Sequence, residues 1–171
     1  MNPVIDNILT RRSCRSFSDK PIAKKDIETL LNCARYAPNA KNRRSWKFTA
    51  VLNQELIKKL AAAIGKAIGN DAYNFYRPTA IIIPSHEADA PYTRDNSACA
   101  LQTIFLAAHS LGINSVWVNQ ADGQCDNQGV RAVLTELGIP ANHVVYGIAS
   151  LGYAASALQE PEKTCETAIL E

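Results

Sequence analysis

The 171-residue chain lacks the glycine signatures of the common nucleotide sites. It contains neither a Gly-x-Gly-x-x-Gly run nor a P-loop pattern, which argues against a Rossmann or Walker phosphate cradle. No apolar run reaches the roughly 18 residues needed to span a bilayer, and no secretory leader precedes a small-residue cleavage site. Cys14, Cys33, Cys99, Cys125 and Cys165 are scattered, odd in number and never in a Cys-x-x-Cys pair, which speaks against a disulfide framework and a zinc site. His86, His109 and His143 have no metal-ligand spacing, so no metal is expected. Charge of one sign is also missing: 18 Lys and Arg against 16 Asp and Glu leave +2, too little for a diffuse basic field, and no nucleic-acid partner is expected. These absences predict a soluble, cytoplasmic protein with no membrane partner. At this length one core spanning residues 1–171 buries about two-thirds of the unfolded surface.

Against that even background one segment stands out. Arg11-Arg12-Ser13-Cys14-Arg15-Ser16-Phe17 concentrates three guanidinium groups and two hydroxyls in seven residues. Arginine forks match phosphate geometry, so the segment reads as a small-anion site, or with equal weight as a basic surface turn ion-paired to nearby acids. Cys14 sits among these cations, where a lowered thiol pKa would make it reactive, although no accompanying base is identifiable.

Hydrophobic spacing places the elements. Pro3 to Leu9 reads as a short helix with proline in its first turn, and Ile27, Leu30, Leu31 and Ala34 as the inner face of a second helix, ending before Pro38. Residues 39–45 read as loop and residues 46–52 as a strand. Asn53 caps a helix with Leu56, Ile57, Leu60, Ala61 and Ile64 on one face, and residues 79–83 form a strand covered on both faces. Residues 85–94 read as a loop or lid and residues 95–111 as a central helix. A strand at 114–118, a loop at 119–126, a helix near 127–137 and a last strand at 143–151 follow, before a tail without period. Trp46 and Trp117 read as core. Gly147, Ala149 and Gly152 suit either tight sheet packing or close approach to a flat ligand. The alternation of strands and helices indicates an α/β or α+β layered fold.

Three stretches carry a resemblance. Arg-Arg-Ser-x-Arg-x-Phe follows a short helix, and Pro-Ile-x4-Ile-x2-Leu-Leu-x2-Ala-x2-Ala-Pro with Asn-x3-Trp comes after it. The second stretch is Asp95 to Trp117; the third joins Leu137 to Pro140 with Ser150 to Tyr153. In this order and spacing the chain resembles the flavin-dependent nitroreductase family. The resemblance implies a three-layer fold with a mixed, mainly antiparallel central sheet flanked by helices, and an obligate homodimer with FMN at the subunit interface. The tail from about 152 is then expected to reach the partner. It further implies that Arg11, Arg12 and Ser13 hold the FMN phosphate and ribityl chain, while Arg15 lies near the flavin pyrimidine edge. Pro38, Asn39, Ala40 and Asn42 approach the partner's FMN. Trp117 lies beside the flavin, and the backbone of Asn119 and Gln120 approaches N5 and O4. Read from residues alone, Pro38 to Asn42 is a helix stop and turn, and Asn119-Gln120 a polar strand exit. The resemblance adds Gly152 and, in the tail, Lys163, the only Lys or Arg after Arg131.

The expected activity is ping-pong hydride transfer from NADH or NADPH through FMN to a nitroaromatic, quinone or other small electrophile, with no protein acid or base. A flavin-storage, sensing or specialised flavoprotein is the second expectation. An RNA-binding domain ranks last, because aromatics are not interleaved with the basic residues. The chain departs from the family at Asn42-Arg43-Arg44-Ser45-Trp46, where the usual Asn-x-Gln-Pro-Trp would place an amide and a proline. Ala154 stands where proline is common, and residues 85–94 are too short for the helical excursion of larger members. Subunit contacts and substrate choice are expected to differ accordingly.

Overall fold

A computed structural model describes residues 2–43, 45–160 and 162–171. Helix α1 is Pro3–Thr10, with Asn2 accepting the Val4 N–H at 2.9 Å and proline at its first position. Helix α2 is Lys24–Ala34, and a short 3-10 turn follows at Ala40–Asn42. Strand β1 (Trp46–Val51) leads through Asn53, whose carboxamide accepts from Glu55 N and Leu56 N, into α3 (Gln54–Ile68). Gly69 closes α3 in the left-handed conformation, φ 71°. Then come β2 (Ala80–Glu87), α4 (Thr93–Ser110), β3 (Asn114–Val118), α5 (Gln128–Glu136), β4 (His143–Val144) and β5 (Ile148–Gly152).

The strands form one sheet in the order β1-β2-β5-β3, with β4 beside the far end of β2. All four ladders are antiparallel. The parallel component is an isolated bridge between Ser13 and Ser115, where Cys14 N–H donates to Ser115 O at 2.9 Å. β2 is the central strand that its apolar run implied. Ile81 and Ile83 enter the core shared with α3 and α5, while Ala80 and Ile82 enter the core shared with α2 and α4. Successive strand side chains point to opposite faces, and both faces here are covered, so the run has no polar alternation.

Two sequence boundaries shift. β2 continues to Glu87, and α4 begins at Thr93, so the expected loop at 85–94 shortens to the turn between them. The polar residues Ser85, His86 and Glu87 are strand because β1 and β4 flank them: Ser85 pairs with Lys47, and His86 with both Trp46 and Val144. The single strand expected at 143–151 is two, since β4 pairs with β2 and β5 pairs with both β2 and β3.

Gly147 and Gly152 are explained by packing. A Cβ on Gly147 would overlap the Trp117 indole and Leu101 Cδ1, and one on Gly152 would lie 2.7 Å from Phe17 Cδ1. Gly147→Ala is expected to lower stability by about 1–3 kcal/mol, the usual cost of overpacking, as a reduced urea midpoint with unchanged slope. An unchanged midpoint would show that the indole moves aside freely. α1 is the exception to good packing: it touches only α4 closely, none of its residues is buried, and Val4, Ile5, Ile8 and Leu9 are 50–66% exposed.

Candidate flavin site

The arginine segment leaves α1 and runs beside the start of β3 through the Ser13–Ser115 bridge. Arg11 is partly buried, with its guanidinium carbon 6.0 Å from the centroid of Phe105 on α4. Burial, and then the charge of Arg12 beside it, lower its pKa from the ordinary arginine value. No carboxylate pairs with it among the described residues. This cation, short of counter-charge, meets an exposed Ser13 and an exposed Arg15 on the same segment. Arg12 is engaged differently. It donates to Leu9 O at 2.6 Å and Arg11 O at 2.9 Å, and pairs with Glu160. It therefore closes the end of α1 and ties the tail to the segment.

Cys14 is fully buried and its thiol donates to Ser16 O at 3.1 Å. The reactive-thiol expectation is thereby corrected: attack needs an exposed thiolate, and the bridge to β3 folds this sulfur inside. Alkylation of the native protein with iodoacetamide is expected to spare Cys14 and to label the exposed Cys165 first, as read by peptide mass mapping.

Trp117 is a second correction. It is 39% exposed, while Val116 and Val118 beside it are buried. Its ring lies 6.4 Å from that of Phe105 and rests over Gly147, so Arg11, Phe105 and Trp117 form one continuous edge. Trp46 is only partly buried as well, packed 5.1 Å from Phe48 and 6.1 Å from His86. Asn119 and Gln120 are exposed at the exit of β3. Asn119 N–H donates to Gln120 Oε1 at 3.0 Å, which also accepts from Tyr73 O–H at 3.1 Å. Past this exit, Arg94 on α4 pairs with Asp122 and lies 4.6 Å over the Tyr146 ring.

The loop holding Pro38, Asn39, Ala40 and Asn42 sits elsewhere. Ala40 N–H donates to Oδ1 of the buried Asn96 at 2.9 Å, and Lys41 and Asn42 are left-handed at φ 55° and 49°. A cleft of about 330 Å³ opens beside it, lined by Arg35, Tyr36, Asn39, Asn42 and Trp46. α4 separates the two groups. At 100° per residue, Arg94 and Phe105 share a face of α4, while Asn96 lies about 180° from Phe105. One copy of the chain thus holds the arginine segment and the 38–42 loop on opposite sides of its central helix. Arg44, in the segment that departs from the family, lies outside the described residues.

Residues 153–155 pair with 16–18, through Ser18 N to Tyr153 O at 2.8 Å and Ala155 N to Ser16 O at 3.0 Å. Lys20 lies 4.2 Å over the Tyr153 ring. Lys163 follows, exposed, three residues beyond the Glu160 that Arg12 holds. A cavity of about 730 Å³ is bounded by Ile22, Leu52, Ile57, Ala61, Tyr73 and Arg77 among others, and none of the expected site residues lines it.

Sequence reading missed Tyr73, Asn96 and the Arg94–Asp122–Tyr146 group. Their partners are 28 to 56 positions away, and no local pattern announces them. His86, which the sequence showed only to lack metal-ligand spacing, is fully buried with no hydrogen-bond partner on either ring nitrogen among the described residues. Burial, and then the nearby His143, push its pKa down to about 4. Below pH 6.5 the unfolded chain binds this proton and the folded one resists it. Stability is therefore expected to fall by up to about 1.4 kcal/mol per pH unit between about pH 6.5 and 4 through this group. His86→Gln is expected to remove one proton from the pH dependence of the unfolding free energy; an identical slope in both proteins would refute the assignment.

Comparison with known proteins agrees with this fold. The model of the nitroreductase family matches residues 8–70 and 69–153. An Archaeoglobus fulgidus protein, provisionally named NADH dehydrogenase/NAD(P)H nitroreductase, is 35% identical over 159 residues, covering 90% of this chain and 86% of its own. The crystal structure of a Bacteroides fragilis nitroreductase with bound FMN is 36% identical and superposes with a TM-score of 0.89 over 100% of both chains. A Desulfitobacterium hafniense nitroreductase, 24% identical with a TM-score of 0.85 over 99% of both, shares the fold. On its own sequence and on its fold, this chain belongs to the nitroreductase family.

Proposed function

We propose that the protein is an FMN-dependent oxidoreductase that takes a hydride from NADH or NADPH and passes it, in a ping-pong cycle, to a nitroaromatic, quinone or similar small electrophile. The observation that carries this reading is the partly buried Arg11, a cation without a carboxylate partner beside exposed Ser13 and Arg15, on an edge continuous with Trp117. Such a donor set suits a phosphate followed by a polar chain and a flat ring.

FMN, when bound, would supply the hydride-transfer chemistry. The chain supplies binding and charge. Arg11 and Ser13 hold the phosphate end. Arg12 contributes through its grip on Glu160, and Lys163 in the same tail is assigned to the phosphate end. Arg15 stabilises the negative charge that builds up on the pyrimidine side of the cofactor. Of the two backbone donors at the strand exit, Gln120 N–H has no protein acceptor among the described residues, while Asn119 N–H is given to the Gln120 side chain. Gly152 contributes only as the floor under Phe17.

Two features support a homodimer. The apolar stripe of α1 needs a cover, and the 38–42 loop lies on the wrong side of α4 to serve the Arg11 edge of its own copy. A second copy meets both needs, and the exposed residues 162–171 could lie against it. The test is a visible spectrum of the purified protein with added FMN, followed by stopped-flow mixing with NADH and NADPH. Flavin uptake and rapid bleaching by either donor are expected. No uptake would sink the reading, and uptake without bleaching would leave a storage or sensing protein.

A further inference from the structure

Gln120 carries an orientation that its neighbours enforce. A backbone N–H only donates, so the group facing Asn119 N–H must be the carboxamide oxygen. The Tyr73 hydroxyl donates to that same oxygen, and the two bonds, 3.0 and 3.1 Å, occupy both of its lone pairs. The amino end, Nε2, is left turned outward without a protein partner among the described residues.

Tyr73 is itself held in place. Gly65 lets its loop lie on α3, for a Cβ there would stand 2.6 Å from Asn70 O and 3.2 Å from Tyr73 Cβ. Tyr73 N–H donates to Asn70 O at 3.1 Å, and its ring meets the fully buried Phe75 edge-on at 5.2 Å. Phe75, Tyr76 and Arg77 then run through three successive left-handed conformations, φ 53°, 67° and 55°, which non-glycine residues disfavour. Strained backbone and a reserved glycine together fix one hydroxyl against one side chain, beside the strand exit where the flavin ring is proposed to lie.

Resting on that flavin reading, we propose that Gln120 Nε2 is a specificity donor for the second substrate, hydrogen-bonding a nitro or carbonyl oxygen at the flavin face, and that Tyr73 is the positioning residue that keeps the amide turned this way. Released from Tyr73, the carboxamide keeps only the Asn119 contact and samples other rotamers, so the donor is present but no longer aimed.

The test uses the oxidised, FMN-loaded protein, which binds acceptors without turning over. Nitrobenzene and toluene, similar in shape but differing in the oxygen acceptors, are titrated against the flavin absorbance band in wild type, Tyr73→Phe, Gln120→Leu and the double variant. Each single change is expected to weaken nitrobenzene about tenfold, the worth of one hydrogen bond, and to leave toluene within about twofold. The double variant is expected to be no worse than Gln120→Leu, because both act on one donor. Equal weakening of toluene, additive losses, or unchanged nitrobenzene affinity would each overturn the proposal. Failure of every form, wild type included, to take up FMN would instead overturn the flavin reading on which it rests.

Discussion

Ile5→Asp/Ile8→Asp is expected to convert the protein to a monomer and, with it, to abolish tight FMN binding. α1 presents Val4, Ile5, Ile8 and Leu9 to solvent, a full stripe of an amphipathic helix left uncovered by the described residues of its own copy. Covering it with a second copy removes apolar area worth about 25 cal/mol per Å². A carboxylate placed in that cover carries a desolvation penalty of several kcal/mol. Two of them should raise the dimer dissociation constant at least about a thousandfold. The helix itself should survive, since both positions are exposed within one copy and Asn2 and Pro3 still start it. Sedimentation equilibrium reads the state of association and flavin fluorescence the affinity. A dimeric variant would place the interface elsewhere; a monomer that still binds FMN tightly would show that one copy completes the site.

The second large effect is expected from Arg11→Ala/Ser13→Ala. Hydrogen bonds to a charged group contribute about 1.5–3 kcal/mol each, so the pair should lower FMN affinity at least about a hundredfold. Fold stability should change little, because Arg11 has no ion pair to lose among the described residues and its partly buried charge resists desolvation. Arg11→Lys should recover only part of the affinity, since a point charge replaces a planar fork. Arg12→Ala behaves differently on this structure, acting through the end of α1 and Glu160 and freeing the tail. Flavin retention that is equal in wild type and the Arg11→Ala/Ser13→Ala variant would reduce the segment to a surface turn.

Much of the fold was legible because it is written in local periodicity. The faces of α2 and α3 follow from the spacing of Ile27 and Leu30, and of Ile57, Leu60 and Ile64. Asn53 marks the start of α3 by a side-chain oxygen that accepts orphan N–H groups, and in the structure Asn2 and Asn127 start α1 and α5 in the same way. The end of β2 was not legible, because Ser85, His86 and Glu87 have loop composition and become strand only through pairing with β1 and β4. Trp117 reads as core for the same reason in reverse: an aromatic on a strand is normally buried, and only the placement of Phe105 and Gly147 shows it lying across an open edge.

The order and type of most elements, the double-sided burial of β2 and the concentration of cations in Arg11 to Arg15 were determined by the sequence alone, since each rests on residues within one or two turns or one strand of each other; the end of β2 and the division of the last strand into β4 and β5 were not. Which of those cations lacks counter-charge among the described residues was decided by tertiary structure, since Arg12 finds Glu160 while Arg11 finds the Phe105 ring and no carboxylate there. The sides of α4 on which the site's halves lie, and the grip of Tyr73 on Gln120 across 47 positions, were decided there too. Electrostatic isolation and side-chain orientation are set by what packs against a group, and in this chain those neighbours come from distant segments.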